Sequence, residues 1–104
     1  MVNVTYNIKN ENILEVEVKG HANSAEVGKD LVCAGVSSVT TGLLNSLDEL
    51  CPDTCLLEMS EGYVHIKVNE VTHDNQLLLK SLIKSLETIE FTNKKFIRIK
   101  KMEV

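Results

Sequence analysis

Between Gly20 and Ser38 the chain reads GHANSAEVGKDLVCAGVSS, and this stretch holds the residue types best suited to chemistry. His21 follows a strand-like run, a polar loop bounded by Gly20 and Gly28 comes next, and Cys33 stands where a helix should begin. A cysteine at a helix N-terminus lies near the positive end of the macrodipole, and a neighbouring imidazole can ionise it to a nucleophilic thiolate. With Asp30 as N-cap, Cys33 falls in the first turn, where backbone N–H groups have no intrahelical acceptor. Such amides favour a thiolate and can also donate to the oxyanion formed when it attacks a carbonyl.

Magnitudes show that the dipole cannot act alone. It supplies about 0.3–1 kcal/mol, at most about 2, whereas lowering a thiol pKa by two units takes roughly 2.7 kcal/mol. A histidine is needed, and His21 is the best placed of three, with eleven intervening residues in which to turn back on Cys33. The pair would form a thiolate–imidazolium, with His21 later protonating the leaving amine. Ser37 lies one turn beyond Cys33 on the same helical face, within reach of the same site. Asp30 has two readings: it orients His21, or, more simply, it caps the helix, where its charge partly opposes thiolate formation. The residue types also allow a bland alternative, because cysteines outside disulfides are commonly buried as small hydrophobes.

The elements that must position these residues follow from periodicity. Val2, Val4, Tyr6 and Ile8 alternate with polar residues, and Leu14, Val16 and Val18 alternate with Ile13, Glu15, Glu17 and Lys19. These are two half-buried strands joined by a turn at Lys9 to Asn12, the second ending at Gly20. From Leu31 to about Leu50, Val32, Val36, Val39, Leu43, Leu47 and Leu50 recur at helical spacing, and Pro52 and Asp53 stop the helix. Gly35 and Gly42 within it each cost about 1 kcal/mol of helix propensity, which close approach of the sheet or of a second subunit would offset. Cys55 to Ser60 and Tyr63 to Val68 form a second hairpin across Glu61 and Gly62. A second helix starts near Thr72 to Asp74, with Leu78, Leu79, Leu82, Ile83, Leu86 and Ile89 on one face, and Phe96 to Met102 supplies a last strand. The order ββαββαβ predicts an α+β fold: one domain over residues 1–104, two helices packed on a mostly antiparallel sheet.

Composition bounds the function classes. An apolar fraction of 43% and a charged fraction of 25% over 104 residues are those of an ordinary soluble globular domain. No apolar run approaches the roughly 20 residues of a membrane span, and MVNVTYNIKN does not read as a signal peptide. A cytoplasmic location is expected, and the odd count of three cysteines then reads as thiols. The net charge of −4 argues against a general nucleic-acid binder. Lys94, Lys95, Arg98, Lys100 and Lys101 nevertheless crowd the C-terminus, either as a lysine-protected edge strand or as a docking surface for an RNA-bearing partner.

Other candidate motifs are weaker. Cys51 and Cys55 are four apart and lack a second close pair, so no metal site is expected even with His65 and His73 nominated. His65 reads as a surface strand residue and His73 as part of a helix start. Gly28-Lys29 suggests a phosphate loop, but Asp30 stands where Ser or Thr should meet magnesium. The leucines of the second helix are core, and no cofactor is expected.

The string GHA, the short loop to Gly28, and then DLVCAGVSS resemble the ribosomal-processing cysteine protease family, abbreviated Prp. The likeness extends along the whole chain in length and element order. Leu31 stands where isoleucine is usual and Gly35 where alanine is common, and neither change removes a reactive group. The resemblance implies a catalytic dyad of His21 and Cys33, with Asp30 and Ser37 in supporting roles. It implies a homodimeric, cytoplasmic endopeptidase that removes the N-terminal extension of a large-subunit ribosomal protein precursor, cutting after paired phenylalanines. The loop between the dyad residues is implied to move when peptide binds, with Gly20 and Gly28 as plausible hinges. A different class of function stays open beside it: a non-catalytic ribosome-assembly module docking through the basic C-terminal strand.

Overall fold

The computed structural model describes residues 1–20 and 29–104, with the side chains of Lys29 and Asp30 left aside. Strands β1 (Val2–Lys9) and β2 (Asn12–Lys19) lead to helix α1 (Lys29–Leu50). The hairpin β3 (Cys55–Ser60) and β4 (Tyr63–Val68), helix α2 (His73–Thr92) and strand β5 (Ile97–Glu103) complete the ββαββαβ order. The sheet runs β3-β4-β2-β1-β5. Its β1–β2, β2–β4 and β3–β4 pairings are antiparallel, and β5 returns parallel to β1. A parallel pairing needs a crossover, which α2 supplies. The basic strand β5 is thus an edge, and the lysines along it guard unpaired backbone groups against association.

One hydrophobic core joins the inner face of the sheet to both helices. Val2, Val4, Val16, Val18, Ile66 and Ile97 meet Val32, Val36, Leu43, Leu44 and Leu47 of α1 and Leu79, Leu82, Ile83 and Leu86 of α2. Two details depart from simple periodicity. Leu50 is exposed, and Leu44, outside the predicted series, is buried. In β2, Ile13 is buried and Leu14 only partly so, the reverse of strict alternation with Val16 and Val18.

A bulge explains that reversal. Asn7 pairs with Glu15 but Ile8 pairs with Ile13, so Leu14 is an extra residue that shifts the side-chain phase. Beyond the last β2–β4 pair, Glu15 with Lys67, the side chain of Gln76 takes over the role of a strand. Its Oε1 accepts from the Ile13 N–H at 2.7 Å and its Nε2 donates to the Ile13 carbonyl at 2.8 Å. The first hairpin turns through Asn10 and Glu11, both at positive φ (51° and 68°) as a two-residue turn between twisted strands requires.

Helix α2 starts on a complete capping box. The Thr72 hydroxyl accepts from the Asn75 N–H, and Asn75 Oδ1 accepts from the Thr72 N–H, each at 3.1 Å. None of the described helices is long and apolar enough to cross a membrane.

Candidate active site

Cys33 is half-buried on α1, where its side chain packs at the margin of the core. The helix as described begins at Lys29, so Asp30 lies inside it and not ahead of it as an N-cap. Cys33 is therefore one residue beyond the leading turn. In an α-helix its N–H meets the carbonyl four residues earlier, so the unpaired amides are those preceding it. The macrodipole falls off within the first turn, so its help to a thiolate at Cys33 is at the low end of the expected range.

The three cysteines occupy different environments. Cys51 is 7% exposed, inside the core. Cys55 is half-buried at the start of β3, and burial pushes its thiol above the ordinary range against a smaller opposing effect from the Thr54 hydroxyl. Cys51 is thus a core residue by its burial, and the raised Cys55 thiol stays protonated at neutral pH. Cys33 has small, exposed neighbours: Ala34 beside it and Ser37 one turn on.

Ser37 opens onto a groove of about 60 Å³ between α1 and the end of the β3–β4 hairpin, which Thr40, Thr41, Ser60, Tyr63 and Val18 also line. One wall is fixed by the Thr41 hydroxyl, which lies 3.8 Å from the Met59 sulfur. Gly20 reaches the same end of the sheet, its N–H donating to the Gly62 carbonyl at 3.1 Å. Gly20 is also a conformational requirement. It sits at φ +90°, and a Cβ there would lie 2.6 Å from the Met1 carbonyl oxygen. The chain is thus anchored at the residue before His21, next to the hairpin turn and at the groove.

His21 and Gly28 lie outside the described residues. The other two histidines are directed elsewhere. His65 projects from the sheet face opposite the helices, with Nε2 2.5 Å from Glu15 Oε2 and Nδ1 3.2 Å from Glu58 Oε1. The Glu15 carboxylate, and after it Glu58, holds its pKa above the ordinary imidazole value against the opposite pull of desolvation. On the same face Tyr63 donates to Glu17 at 2.9 Å, which raises the tyrosine and lowers the carboxylate. His73 is exposed at the first turn of α2, 3.0 Å from Asp74. The proposed ligands Cys51 and Cys55 are therefore not joined by either histidine: among the described residues no cluster of three His, Cys, Asp or Glu could hold a metal ion.

Sequence reasoning named Ser37 but missed Thr40 and Thr41, polar residues of α1 that share its groove. One signal for Thr40 was present. It continues the buried series Val32, Val36 and leads into Leu43 and Leu47, a hydroxyl in phase with an apolar stripe.

Comparison with known proteins agrees with this architecture. A family model described as cysteine protease Prp matches residues 1–98. A ribosomal processing cysteine protease Prp of Bacillus subtilis is 42% identical over 94 residues, covering 84% of each chain. Among solved structures, the ribosomal processing protease Prp of S. aureus in complex with a substrate peptide superposes with a TM-score of 0.86 at 30% identity. That match covers 97% of this chain and 99% of the other. The same S. aureus protease with a covalently linked product peptide gives 0.85 at 31% identity, over the same shares of the two chains. On the family match, the identity across most of the length and the shared fold, the chain belongs to the cysteine protease Prp family.

Proposed function

We propose that this chain is a cysteine endopeptidase that removes the N-terminal extension of a large-subunit ribosomal protein precursor, with Cys33 as nucleophile and His21 as its base. The observation that carries the assignment is the contrast among the cysteines. Cys51 is buried and the half-buried Cys55 has its thiol pushed up by burial, whereas the half-buried Cys33 stands one turn from Ser37 on an open groove. Gly20, anchored at that groove, delivers the chain to His21, while His65 and His73 are engaged on other surfaces. The S. aureus relative with a covalently linked product peptide supports a covalent route.

In that route the Cys33 thiolate attacks the scissile carbonyl carbon, forming a C–S bond and an oxyanion that amides at the start of α1 stabilise. Collapse breaks the C–N bond, and the His21 imidazolium gives its proton to the leaving amine. Water then attacks the thioester, His21 takes the water's proton, and cleavage of the C–S bond releases the acid and restores the thiolate. Ser37 donates a hydrogen bond within the site, and Asp30 adjusts the His21 orientation. Gly20 and Gly28 are the hinges of the intervening loop. No cofactor or metal enters this chemistry, and neither does a membrane or direct contact with nucleic acid.

The enzyme works in the cytoplasm, where ribosomal proteins are made, and as a homodimer.

The test is cleavage of a precursor peptide containing paired phenylalanines. Cys33→Ala should lower the rate by roughly 10³-fold or more, and His21→Ala comparably, as for other dyad and triad members. Cys51→Ala should retain activity in whatever fraction folds. Cys33 should also alkylate faster than Cys51 and Cys55 near neutral pH. Cleavage that survives Cys33→Ala would remove the nucleophile, and equal, slow labelling of all three thiols would favour the ribosome-assembly module.

A further inference from the structure

Thr40 sits in the middle of α1, 1% exposed, and its hydroxyl is the buried side-chain polar atom that finds no partner among the described residues. The other mid-helix hydroxyls show what is usual. Ser46 donates to the Gly42 carbonyl at 3.0 Å and Thr88 to the Lys84 carbonyl at 2.8 Å, each four residues back. Thr40 makes no such bond although it is the more deeply enclosed, and a buried hydroxyl without a partner is costly and rare. Thr40 also lines the groove that Ser37 opens onto, and lies two turns beyond Cys33 on the same helix. An orphaned hydroxyl on a residue that lines a groove, closed to water until the side chain turns toward it, is the pattern of a recognition group whose partner arrives with the ligand.

We propose that this groove is a subsite of the peptide-binding cleft, and that the Thr40 hydroxyl recognises one polar atom of a small substrate residue bound in it. The proposal rests on the protease reading and deepens it by naming a specificity residue. Size sets the class of occupant. The groove encloses about 60 Å³, well short of the roughly 150 Å³ that admits a benzene ring. An aromatic side chain of the substrate must therefore bind elsewhere, and this site takes a residue of threonine size or smaller. The walls of Val18, Val36 and Val64 exclude water from the bond, which strengthens it.

Thr40→Val removes the hydroxyl at nearly constant volume, and Thr40→Ser keeps it. Binding of the uncleaved precursor peptide should be measured by calorimetry in the Cys33→Ala background, beside steady-state kinetics in the active protein. Thr40→Val is expected to weaken peptide binding about tenfold and raise KM to match, with kcat within about twofold. Thr40→Ser should restore both to within about threefold. The melting temperature should hold or rise, since the valine variant buries no unpaired group. Should Thr40→Val fail to fold, Thr40→Ala carries the same expectation for binding. Unchanged peptide affinity in a folded Thr40→Val or Thr40→Ala protein overturns the subsite while leaving cleavage intact. Absence of cleavage by the unaltered protein would remove the protease reading and the subsite with it.

Discussion

The two helices lie on the same face of one sheet, yet they are built to different standards. Helix α2 exposes Leu77 and Phe91, but its start is secured by a reciprocal capping box at Thr72 and Asn75 and by buried Asn75 and Gln76 bonded to neighbouring backbone. Helix α1 instead carries Gly35, Gly42, four serine and threonine residues in its middle, and an exposed leucine, Leu31, in its first turn. A Cβ at Gly35 would make only ordinary contact with Ile89 at 3.6 Å, and one at Gly42 would meet nothing described. Close packing on the sheet therefore does not explain these glycines. The helix that presents Cys33 gives up propensity at these positions, while its buried stripe of Val32, Val36, Leu43, Leu44 and Leu47 still joins the core. With Cys33 as the proposed nucleophile, the loss of propensity falls on the helix that would carry the chemistry, as expected when functional positions depart from the local optimum.

The largest effect should come from dismantling the scaffold side. Gln76→Leu leaves the Ile13 N–H and carbonyl without partners inside the core, at about 1–3 kcal/mol for each orphaned group. Denaturant unfolding should show a loss of about 2–4 kcal/mol, with Cys33 alkylation in the folded fraction unchanged. A proportional fall in Cys33 reactivity would mean that the two regions are one cooperative site.

Gly42→Ala probes the other side and should have the opposite sign. Alanine there gains helix propensity in open space, so unfolding free energy should rise by about 0.5–1 kcal/mol. A loss of stability that deepens on dilution would show that the open space beside Gly42 belongs to a second copy of the chain.

The same division governs what the sequence reveals. Alternation and helical spacing report burial, so the element order, the existence of a last strand and most of the core are legible from residues such as Val2, Val16, Leu47 and Leu86, whereas the parallel pairing of that strand is not. Leu14 misleads because a bulge is decided by the pairing of two strands, and no one-strand pattern contains it. The partnership of Gln76 with Ile13 is hidden for the same reason, since it spans 63 residues. At the site, Cys33 and Ser37 are readable because they are reactive types at helical spacing. Thr40 is not, because its importance lies in a bond that it fails to make. The start of α1 is masked in the sequence because Asp30 is a good cap by type, while Lys29 already belongs to the helix.

The smallest effect concerns pH and separates scaffold from chemistry in another way. His65 ties β4 to its two neighbours through Glu15 and Glu58, with its side chain 16% exposed on the sheet face away from α1. The Glu15 carboxylate raises its folded pKa above the unfolded value of 6.5, so the protonated ring stabilises the fold. That contribution is complete below the unfolded value and is lost as pH climbs through the folded one. Wild-type stability relative to His65→Gln should therefore be greatest near pH 6 and shrink as pH rises above the ordinary imidazole range. The pH profile of Cys33 alkylation should be superimposable for the two proteins, because His65 and the groove lie on opposite faces of the sheet. A shift of that profile in His65→Gln would show that the outer carboxylates reach the thiol electrostatically through the sheet, and the separation of the two regions would fail at its most sensitive point.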